Sequence, residues 1–193
     1  MLLSIFAIAP NKLPDEREQE IQMMFAAQAD PHTFEPLYER YFERIYAYCR
    51  RRAHDDQEAE DLCSQVFIRV LVGIHTYSGG MVAAWLFRVA HNVIVNHYRG
   101  KRQIISLEGI EIPHEADGDP VEQADDQRVI QELVAALPED KRTLLSLALD
   151  GGLNSQEIGE ILNKSAGAVR VELHRTIQSL RLRYFKIIGE DHA

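Results

Sequence analysis

Apolar side chains recur every three or four residues along most of the chain, the spacing that places them on one face of an α-helix. In the first half this spacing predicts helices over residues 31–52, 58–75 and 83–102. No run of alternating apolar and polar residues is long enough to predict a β-strand. The chain is therefore predicted to be all-α. The predicted buried faces are Phe34, Leu37, Tyr41, Ile45 and Tyr48 in the first helix, Ala59, Leu62, Val66, Val70 and Ile74 in the second, and Leu86, Phe87, Val89, Ala90, Val93 and Ile94 in the third.

The second half separates into a linker and further helices. Residues 103–123 contain spaced glycines and prolines among acidic residues, with little apolar periodicity, and are predicted to be a linker. A short helix after it ends before Pro138, and a leucine-rich helix ends at Gly151 and Gly152. The linker is therefore the predicted domain boundary.

The C-terminal stretch has the pattern of a helix-turn-helix. Asn154, followed three residues later by Glu157, is a capping-box start for a helix over residues 155–162. After a two-residue turn, Ser165 can cap a second helix over residues 166–185, which begins in small residues and becomes basic. Small residues at its start would let this helix approach a DNA groove closely. A plain helical hairpin is the alternative interpretation.

The predicted third helix has a polar face opposite its buried one. No aspartate or glutamate occurs between residues 62 and 107, although this stretch holds five basic residues and several aromatic ones. Basic, carboxamide and aromatic side chains together indicate a nucleic-acid surface, for single strands in particular. A solvated basic face on an ordinary core helix is the alternative, and Trp85 is predicted to belong to the core. The polar face comprises Arg88, Asn92, Asn96, Arg99 and Arg102.

Charge is divided unevenly along the chain. The net charge of −9 argues against a protein that coats nucleic acid without selection. Residues 62–107 nevertheless carry +5 and residues 141–193 carry +2, whereas residues 1–61 carry −6 and residues 108–140 carry −10. Two basic modules are thus separated by an acidic strip.

Composition excludes several classes of protein. With 193 residues and 46% apolar content, the chain suits one ordinary domain or two small ones. Cys49 and Cys63 fit a reducing cytosol, and with His54 they match no zinc spacing. No phosphate-binding glycine loop or nucleophile elbow occurs, so no metal, no cofactor and no enzymatic activity are predicted.

The apolar residues 1–10 lack a basic start and precede acidic residues, so neither secretion nor membrane insertion is expected. The arginine run at residues 50–52 is expected to cap the first helix and aid solubility.

The two halves together resemble one family, the extracytoplasmic-function (group 4) sigma factors of bacterial RNA polymerase, from about Phe34 to Tyr184. The resemblance rests on FEPLYERYFERIYAYCRR, EAEDLCSQVFIRVL, AAWLFRVAHNVIVNHYR and LPEDKRTLLSLALDGGLNSQEIGEILNKSAGAVRVELHRTIQSLR, in this order around the acidic linker. It implies an all-α transcription initiation factor with two small helical domains, the C-terminal one a helix-turn-helix. The implied organisation is a leader over residues 1–30, a region 2 domain over 31–102, the linker over 103–123 and a region 4 domain over 124–188.

The resemblance implies three binding surfaces. The first would dock on the clamp helices of the polymerase core, the second would read and help open the −10 promoter element, and the third would enter the major groove at the −35 element. The matched positions are Glu60, Asp61 and Gln65 for polymerase; Tyr77, Ser78, Gly79, Gly80, Arg88, Asn92, Asn96, Arg99, Lys101 and Arg102 for the −10 element; and Lys164, Ser165, Gly167, Ala168, Arg170, Val171, His174 and Arg175 for the −35 element.

The implied partners are core RNA polymerase and promoter DNA in the cytoplasm, and an anti-sigma factor is left open. Because the acidic linker can compete for the basic faces, we expect the free protein to bind promoter DNA poorly. Neutralising the linker carboxylates would test this, since DNA binding should then become tighter. Salt should weaken DNA binding steeply, because most contacts are expected to involve phosphate.

Some positions depart from the family pattern. Gln65 stands where many relatives carry glutamate, and Asn96 where an acidic residue is frequent. Glu172 replaces a basic residue in the recognition helix, where it would either accept from a cytosine amino group or face solvent. The loop at residues 79–83 is shorter and less polar than in many relatives, so no −10 preference is transferred. Two alternatives stay open: a regulator that binds DNA through the helix-turn-helix alone, and a sigma-like adaptor that does not initiate transcription.

Overall fold

A computed structural model describes residues 14–108 and 124–191 of the chain. Within these two ranges the chain forms helices, turns and short connections without a β-strand, so the all-α prediction is confirmed. Short 3₁₀ turns, Pro31–Phe34 and Ile74–Thr76, flank the second and third helices. The α-helices are α1 (Pro14–Ala29), α2 (Glu35–Arg50), α3 (Asp56–Gly73), α4 (Val82–Glu108), α5 (Ala124–Ala135), α6 (Glu139–Leu149), α7 (Ser155–Leu162) and α8 (Ala166–Asp191).

Helices α2 and α3 pack against each other and against α4 through the faces predicted from the sequence. All five predicted apolar positions of the first helix, and all five of the second, are at most 5% exposed. The side chain of Asp55 begins α3 by accepting a hydrogen bond from the backbone N–H of Glu58 at 2.7 Å. Asp56 and Glu58 lie in the first turn, where the helix dipole favours negative charge.

Helix α4 is longer than the pattern predicts. It begins at Val82 and runs to Glu108, beyond the predicted end at Arg102. No glycine or proline occurs between Gly100 and Gly109, so nothing in this stretch interrupts the helix. This corrects the predicted start of the linker. The remainder of the predicted linker lies outside the described residues.

Helix α1 lies within residues 1–30, for which the sequence predicts only a leader. Met24 is fully buried, and Glu20, which is 2% exposed, pairs with Arg40 of α2 at 3.3 Å. Most apolar side chains of α1 occur in one consecutive run, residues 23–27, rather than at helical spacing, which explains why periodicity does not reveal this helix. Residues 1–13, including the apolar opening, lie outside the described part of the chain.

The helix-turn-helix prediction is confirmed in α7 and α8. The Asn154 side chain accepts from the N–H of Glu157 at 3.1 Å, and the Glu157 carboxylate accepts from the N–H of Asn154 at 2.9 Å. Asn163 ends α7 in the left-handed conformation, with φ of 55°. A Cβ at Gly159 would fall 2.5 Å from the carbonyl oxygen of Lys164, so the tight turn requires glycine there.

The N-terminal unit (α1–α4) and the C-terminal unit (α5–α8) share one continuous apolar core. Phe87 of α4 is fully buried against the connection between α6 and α7, where a Cβ at Gly151 would lie 2.9 Å from the Phe87 ring. Leu153, in the same connection, is also fully buried. As a result α7 lies against α4, and the C-terminal unit covers part of the N-terminal one.

Candidate nucleic-acid and polymerase interfaces

One side of α4 presents a polar surface, which we call the α4 face. Its members are exposed, while Leu86, Ala90 and Ile94 on the other side are fully buried. Two guanidinium and two carboxamide groups can bind phosphate oxygens and base edges. The α4 face comprises Arg88, Asn92, Asn96 and Arg99; the predicted members Lys101 and Arg102 belong to the helix, but their side chains lie outside the described residues.

The loop before α4 presents an exposed tip, Ser78, Gly79 and Gly80. Gly79 and Gly80 have φ of 111° and 96°, which residues with side chains rarely adopt. Tyr77, predicted to contact DNA, is only 3% exposed, and its hydroxyl donates to the carbonyl oxygen of Gly80 at 2.9 Å. Burial, together with the Glu20 carboxylate, raises the pKa of Tyr77 to about 12, so the hydroxyl keeps its proton. Tyr77 therefore supports the tip through this hydrogen bond and is buried in this arrangement, and its predicted contact with DNA stays a prediction.

Two aromatic side chains surround Tyr77. The ring centroid of Phe25 in α1 lies 5.7 Å from that of Tyr77, and the centroid of Trp85 in α4 lies 5.9 Å away in an edge-on arrangement. Trp85 is half-buried and packs against the core, as predicted. We call residues 74–77 the stem of the loop. Through Tyr77 the stem is packed between α1 and α4 of the N-terminal unit.

The outer side of α3 combines acidic, amide and apolar side chains, and we call it the α3 face. Ile68 and Val72 continue the line of Gln65 at helical spacing, so the polar strip passes into an apolar one. The polymerase residues predicted from the sequence do not include the apolar members. The signal that could have found them is the presence of large apolar residues outside the buried face of α3. The predicted polymerase residues Glu60, Asp61 and Gln65 are exposed, and Ile68, Leu71 and Val72 are exposed to 60%, 41% and 67%.

Glu58 connects the start of α3 with α4. Its Oε1 lies 2.8 Å from His97 Nε2, and its Oε2 accepts from the Tyr98 hydroxyl at 3.2 Å and from the backbone N–H of His54 at 2.6 Å. Burial, and then the Glu58 charge, raises the pKa of Tyr98, so its hydroxyl stays a donor. These contacts fix the α3 face relative to the α4 face.

A second candidate DNA-binding surface, which we call the α8 face, lies on the N-terminal turns of α8 and the residues before them. Ser165 caps α8 as predicted, because its Oγ accepts from the N–H of Ala168 at 3.2 Å. A Cβ at Gly167 would meet no atom within 4 Å, so the first turn is open to a groove. The predicted members Lys164, Ser165, Gly167, Ala168, Arg170, Val171, His174 and Arg175 are all exposed.

Glu172 and Lys141 change the charge of the α8 face. The Glu172 carboxylate pairs with Lys164 Nζ at 2.7 Å across the turn, which neither predicted role of Glu172 includes. Lys141 of α6 lines a groove of about 550 Å³ beside Gly167 and Arg175. Sequence analysis does not assign Lys141, because α6 and α8 meet only in the folded chain.

Arginines in α2 and directly after it contact the C-terminal unit. The Arg44 guanidinium donates from Nε to the carbonyl oxygen of Gly151 at 2.9 Å and from a terminal nitrogen to that of Gly152 at 3.3 Å. Arg51 pairs with Asp150 at 3.2 Å. These partners lie in the connection between α6 and α7, so α2 contacts the far unit directly.

Two arginines of the run at residues 50–52 contact the C-terminal unit, which is more than the predicted capping of a helix. Arg52 donates to Thr143 Oγ1 at 3.0 Å and pairs with Glu139, both in α6. Arg50, in contrast, pairs with Asp56 of its own unit. The predicted role is thus corrected for the two members of the run that reach the C-terminal unit.

The same packing reaches the α4 face. A terminal nitrogen of Arg88 donates to the backbone carbonyl oxygen of Glu160 in α7 at 2.7 Å. In this arrangement the C-terminal unit therefore contacts one member of the predicted −10 surface.

The described surfaces offer charge, amide groups and apolar area. Within residues 14–108 and 124–191, no three His, Cys, Asp or Glu side chains gather as a metal site would need. Cys49 and Cys63 are buried free thiols on the packed faces of α2 and α3. Helices in the described part of the chain are not both long and apolar enough to cross a membrane.

Two family descriptions match the chain in order. Sigma-70 region 2 matches residues 37–104, which contain the α3 face and the α4 face. Sigma-70, region 4 matches residues 127–180, which contain the α8 face. All three candidate interfaces therefore lie in matched sequence.

Similar proteins show the same order. The ECF RNA polymerase sigma factor SigW of Bacillus subtilis is 30% identical over 168 residues, covering 80% of this chain and 90% of the relative. The ECF RNA polymerase sigma factor ShbA of Streptomyces griseus is 31% identical over 172 residues, covering 81% and 90%. The fold resembles the sigma factor RpoE from Bartonella quintana, solved with the anti-sigma factor NepR, with a TM-score of 0.65 at 18% identity, covering 80% of this chain and 97% of that one.

Proposed function

The chain belongs to the ECF (extracytoplasmic-function) family of RNA polymerase sigma factors, which direct RNA polymerase to promoters, and we propose that its three faces divide this task. As a member of that family it is a transcription initiation factor and not an enzyme. The observation that supports the proposal most directly is the exposed α4 face in a chain with both sigma regions. Because region 2 is present, a regulator with a lone helix-turn-helix is set aside.

The α3 face binds the clamp helices of core polymerase. Exposed Glu60 and Asp61 steer a basic partner surface, while Ile68 and Val72 supply apolar area to bury. Gln65 removes one charge from this face, and the apolar strip beside it offsets that loss through burial. This division fits the usual anatomy of an interface with an apolar centre and a polar rim.

The α4 face and the loop tip bind the −10 element. Arg88 and Arg99 offer guanidinium donors to phosphates, and Asn92 and Asn96 offer carboxamides to base edges. Opening the duplex requires a base to leave the stack, and the two glycines of the tip, which have no side chains, let that base approach the backbone closely. Lys101 and Arg102 extend the basic side of α4 in sequence.

The α8 face reads the −35 element from the major groove. Arg170 and Arg175 lie exposed within the first turns of α8, where a recognition helix contacts bases. Arginine can pair bidentately with guanine. Lys141, across the groove beside α8, adds a phosphate contact from α6.

The proposed organisation is a region 2 domain from residue 31 to the end of α4 at Glu108, a linker that starts beyond α4 and a region 4 domain over residues 124–188. Its partners are core polymerase and promoter DNA, and it acts in the cytoplasm. An anti-sigma factor is a further candidate partner, because RpoE of Bartonella quintana was solved with one.

Reconstituted run-off transcription tests the proposal. Core bacterial polymerase, the purified chain and DNA upstream of its own gene are combined, with Arg88→Ala plus Asn92→Ala as the impaired variant. We expect a discrete transcript that requires the chain and is lost with the double variant. Binding to core polymerase without any transcript would support the sigma-like adaptor instead, and failure to bind polymerase would contradict the proposal.

A further inference from the structure

Helix α1 lies outside both matched sigma regions, which begin at residues 37 and 127, yet it contacts the stem of the loop that carries the tip. The contact joins the last turn of α1 to the residues that follow α3. It includes hydrogen bonds and a tilted contact between aromatic rings, so it constrains direction as well as distance.

The side-chain amide of Gln28 is the polar part of this contact. Its Nε2 donates to the carbonyl oxygen of Ile74 at 2.8 Å and to that of Tyr77 at 2.6 Å. An amide group has two N–H donors, and both are directed to the loop. The two carbonyls follow the end of α3, and that of Ile74 also accepts from the backbone N–H of Tyr77 at 3.1 Å. Gln28 thus fixes the point at which the chain leaves α3.

Tyr77 transmits this constraint to the tip. Its ring lies between Phe25 of α1 and Trp85, and its hydroxyl donates to the carbonyl oxygen of Gly80 at 2.9 Å. The line of contacts therefore runs from α1 through Tyr77 to the far end of the tip. Tyr77 is almost fully buried, so it cannot tilt without moving its neighbours.

The tip has no packing of its own. A Cβ at Gly79 or Gly80 would meet no atom within 4 Å, and both residues have positive φ. Glycine is the residue with the widest backbone freedom, so only the stem restrains the tip. A cavity of about 220 Å³ separates the residues after the tip from Arg17 and Ile21 of α1, which leaves room for a loosened tip to move.

We infer that Gln28 is a positioning residue for −10 recognition: by holding the stem, it fixes the shape in which the tip receives an unstacked base. The inference rests on the proposed function of the loop. Gln28 itself is half-buried and contacts the backbone of the stem rather than the tip. Its influence passes through Tyr77 and Gly80.

Promoter selection with intact holoenzyme tests the inference. Holoenzymes containing the native chain or a variant select templates from a DNA library randomised at both the −10 and the −35 elements, and sequencing gives the base preference at each position. Gln28→Leu keeps the bulk but removes both donors. Gln22→Leu is the matched control, because Gln22 is an exposed glutamine on the same helix.

We expect Gln28→Leu to lower the strongest −10 base preference at least fivefold while the −35 preference stays as in the native chain. Gln22→Leu should behave as native. Phe25→Ala, at a ring that is already 45% exposed, disturbs Tyr77 without touching the hydrogen bonds and should show the same selective loss.

An unchanged −10 preference in Gln28→Leu would overturn the inference. Equal loss at both elements, or loss of binding to core polymerase, would also overturn it, because a general folding role would then explain the effect. If the native holoenzyme selected no −10 sequence, the proposed function of the loop would fail together with the inference. Only the last of these results comes from the native chain, so failure of the proposed function can be told apart from failure of the inference alone.

Discussion

The α4 face and the α8 face are both basic surfaces suited to DNA, but the folded chain leaves them in different states. Members of the α8 face are exposed, and the contact we find there is the internal pair of Lys164 and Glu172. In the α4 face, Arg88 donates to the backbone of Glu160 in the other unit. The proposed −35 surface is thus accessible in the packed arrangement, whereas we expect the proposed −10 surface to become fully accessible when the C-terminal unit moves away and releases Arg88.

Promoter geometry requires the same separation. Elements named −10 and −35 lie about 25 base pairs apart, or about 85 Å of B-DNA at 3.4 Å per base pair. Helices α4 and α7 are in direct contact here, so one chain cannot bind both elements in this arrangement. The residues from 109 to 123 can span about 50 Å when extended, which together with the width of the two units allows the separation.

Removing the accessible surface should have the largest effect. We expect Arg170→Ala with Arg175→Ala to weaken holoenzyme binding to promoter DNA on the order of 100-fold, since each base or phosphate contact contributes about 1–3 kcal/mol. Affinity for core polymerase should not change. Filter binding at fixed salt measures the loss. Arg183→Ala, exposed further along α8, is the control, and an equal loss there would contradict a specific −35 contact.

Opening the two units should have the next largest effect. Arg51→Ala with Arg52→Ala removes the ion pairs to Asp150 and Glu139. Partly exposed pairs contribute about 0.2–1 kcal/mol each, so we expect the free chain to bind promoter DNA roughly five- to tenfold more tightly as Arg88 becomes available. Fluorescence anisotropy measures the affinity, and small-angle scattering should show a larger radius of gyration.

Arg50, the remaining member of the arginine run, provides a matched control for this separation of the two units. Arg50→Ala removes a pair with Asp56 inside the N-terminal unit, so neither DNA affinity nor radius should change. If Arg51→Ala with Arg52→Ala gave the same radius and affinity as the native chain, the packed arrangement would not restrict the α4 face. The acidic linker would then remain as the expected inhibitor of free DNA binding.

The sequence predicts the helices well where one buried face or a cap defines them. All predicted core positions of α2 and α3 are buried, and α7 has its predicted bounds because Asn154 caps its start and Asn163 permits the turn at its end. Helix α1 is missed because its apolar residues are consecutive. Apolar periodicity predicts a helix only where buried residues recur every three or four positions, and α1 lacks this recurrence.

The candidate site is only partly predictable for a related reason. Exposure of the α4 and α8 faces follows from their polar periodicity. The pair of Arg51 with Asp150 joins residues 99 positions apart, and nothing near either one in sequence marks the other. Tyr77 has an aromatic ring and a hydroxyl that suit DNA and packing equally, so its burial between Phe25 and Trp85 decides its role.

A smaller effect should show whether Glu172 in the α8 face contacts a base or only pairs with Lys164. Because its pair with Lys164 is 25% to 36% exposed, we expect Glu172→Ala to change −35 binding less than about threefold. A cytosine contact would instead cost about 1–3 kcal/mol at one base position. Anisotropy on duplexes with single-base changes measures the difference, and a double-mutant cycle with Lys164→Ala isolates the pair.

The smallest effect should come from pH at the boundary of the two units. His91 Nδ1 lies 3.1 Å from the Tyr48 hydroxyl, and the charges of Arg52 and of Glu139 in α6, which pair with each other, both act on it. Burial, and then the Arg52 charge, lowers the pKa of His91 below 6.5, while Glu139 acts in the opposite direction. Folded His91 is therefore neutral where unfolded histidine begins to take up a proton.

This His91 contribution to the free energy of unfolding is fully present above pH 6.5 and is lost as pH falls from 6.5 toward the lowered pKa. The slope cannot exceed about 1.4 kcal/mol per pH unit for one proton. We expect the drop in Tm between pH 7.5 and 5.5 to be smaller in His91→Gln than in the native chain. His75→Gln, at an exposed position, should keep the native drop. Equal drops in all three proteins would show that His91 does not couple the packed arrangement to pH.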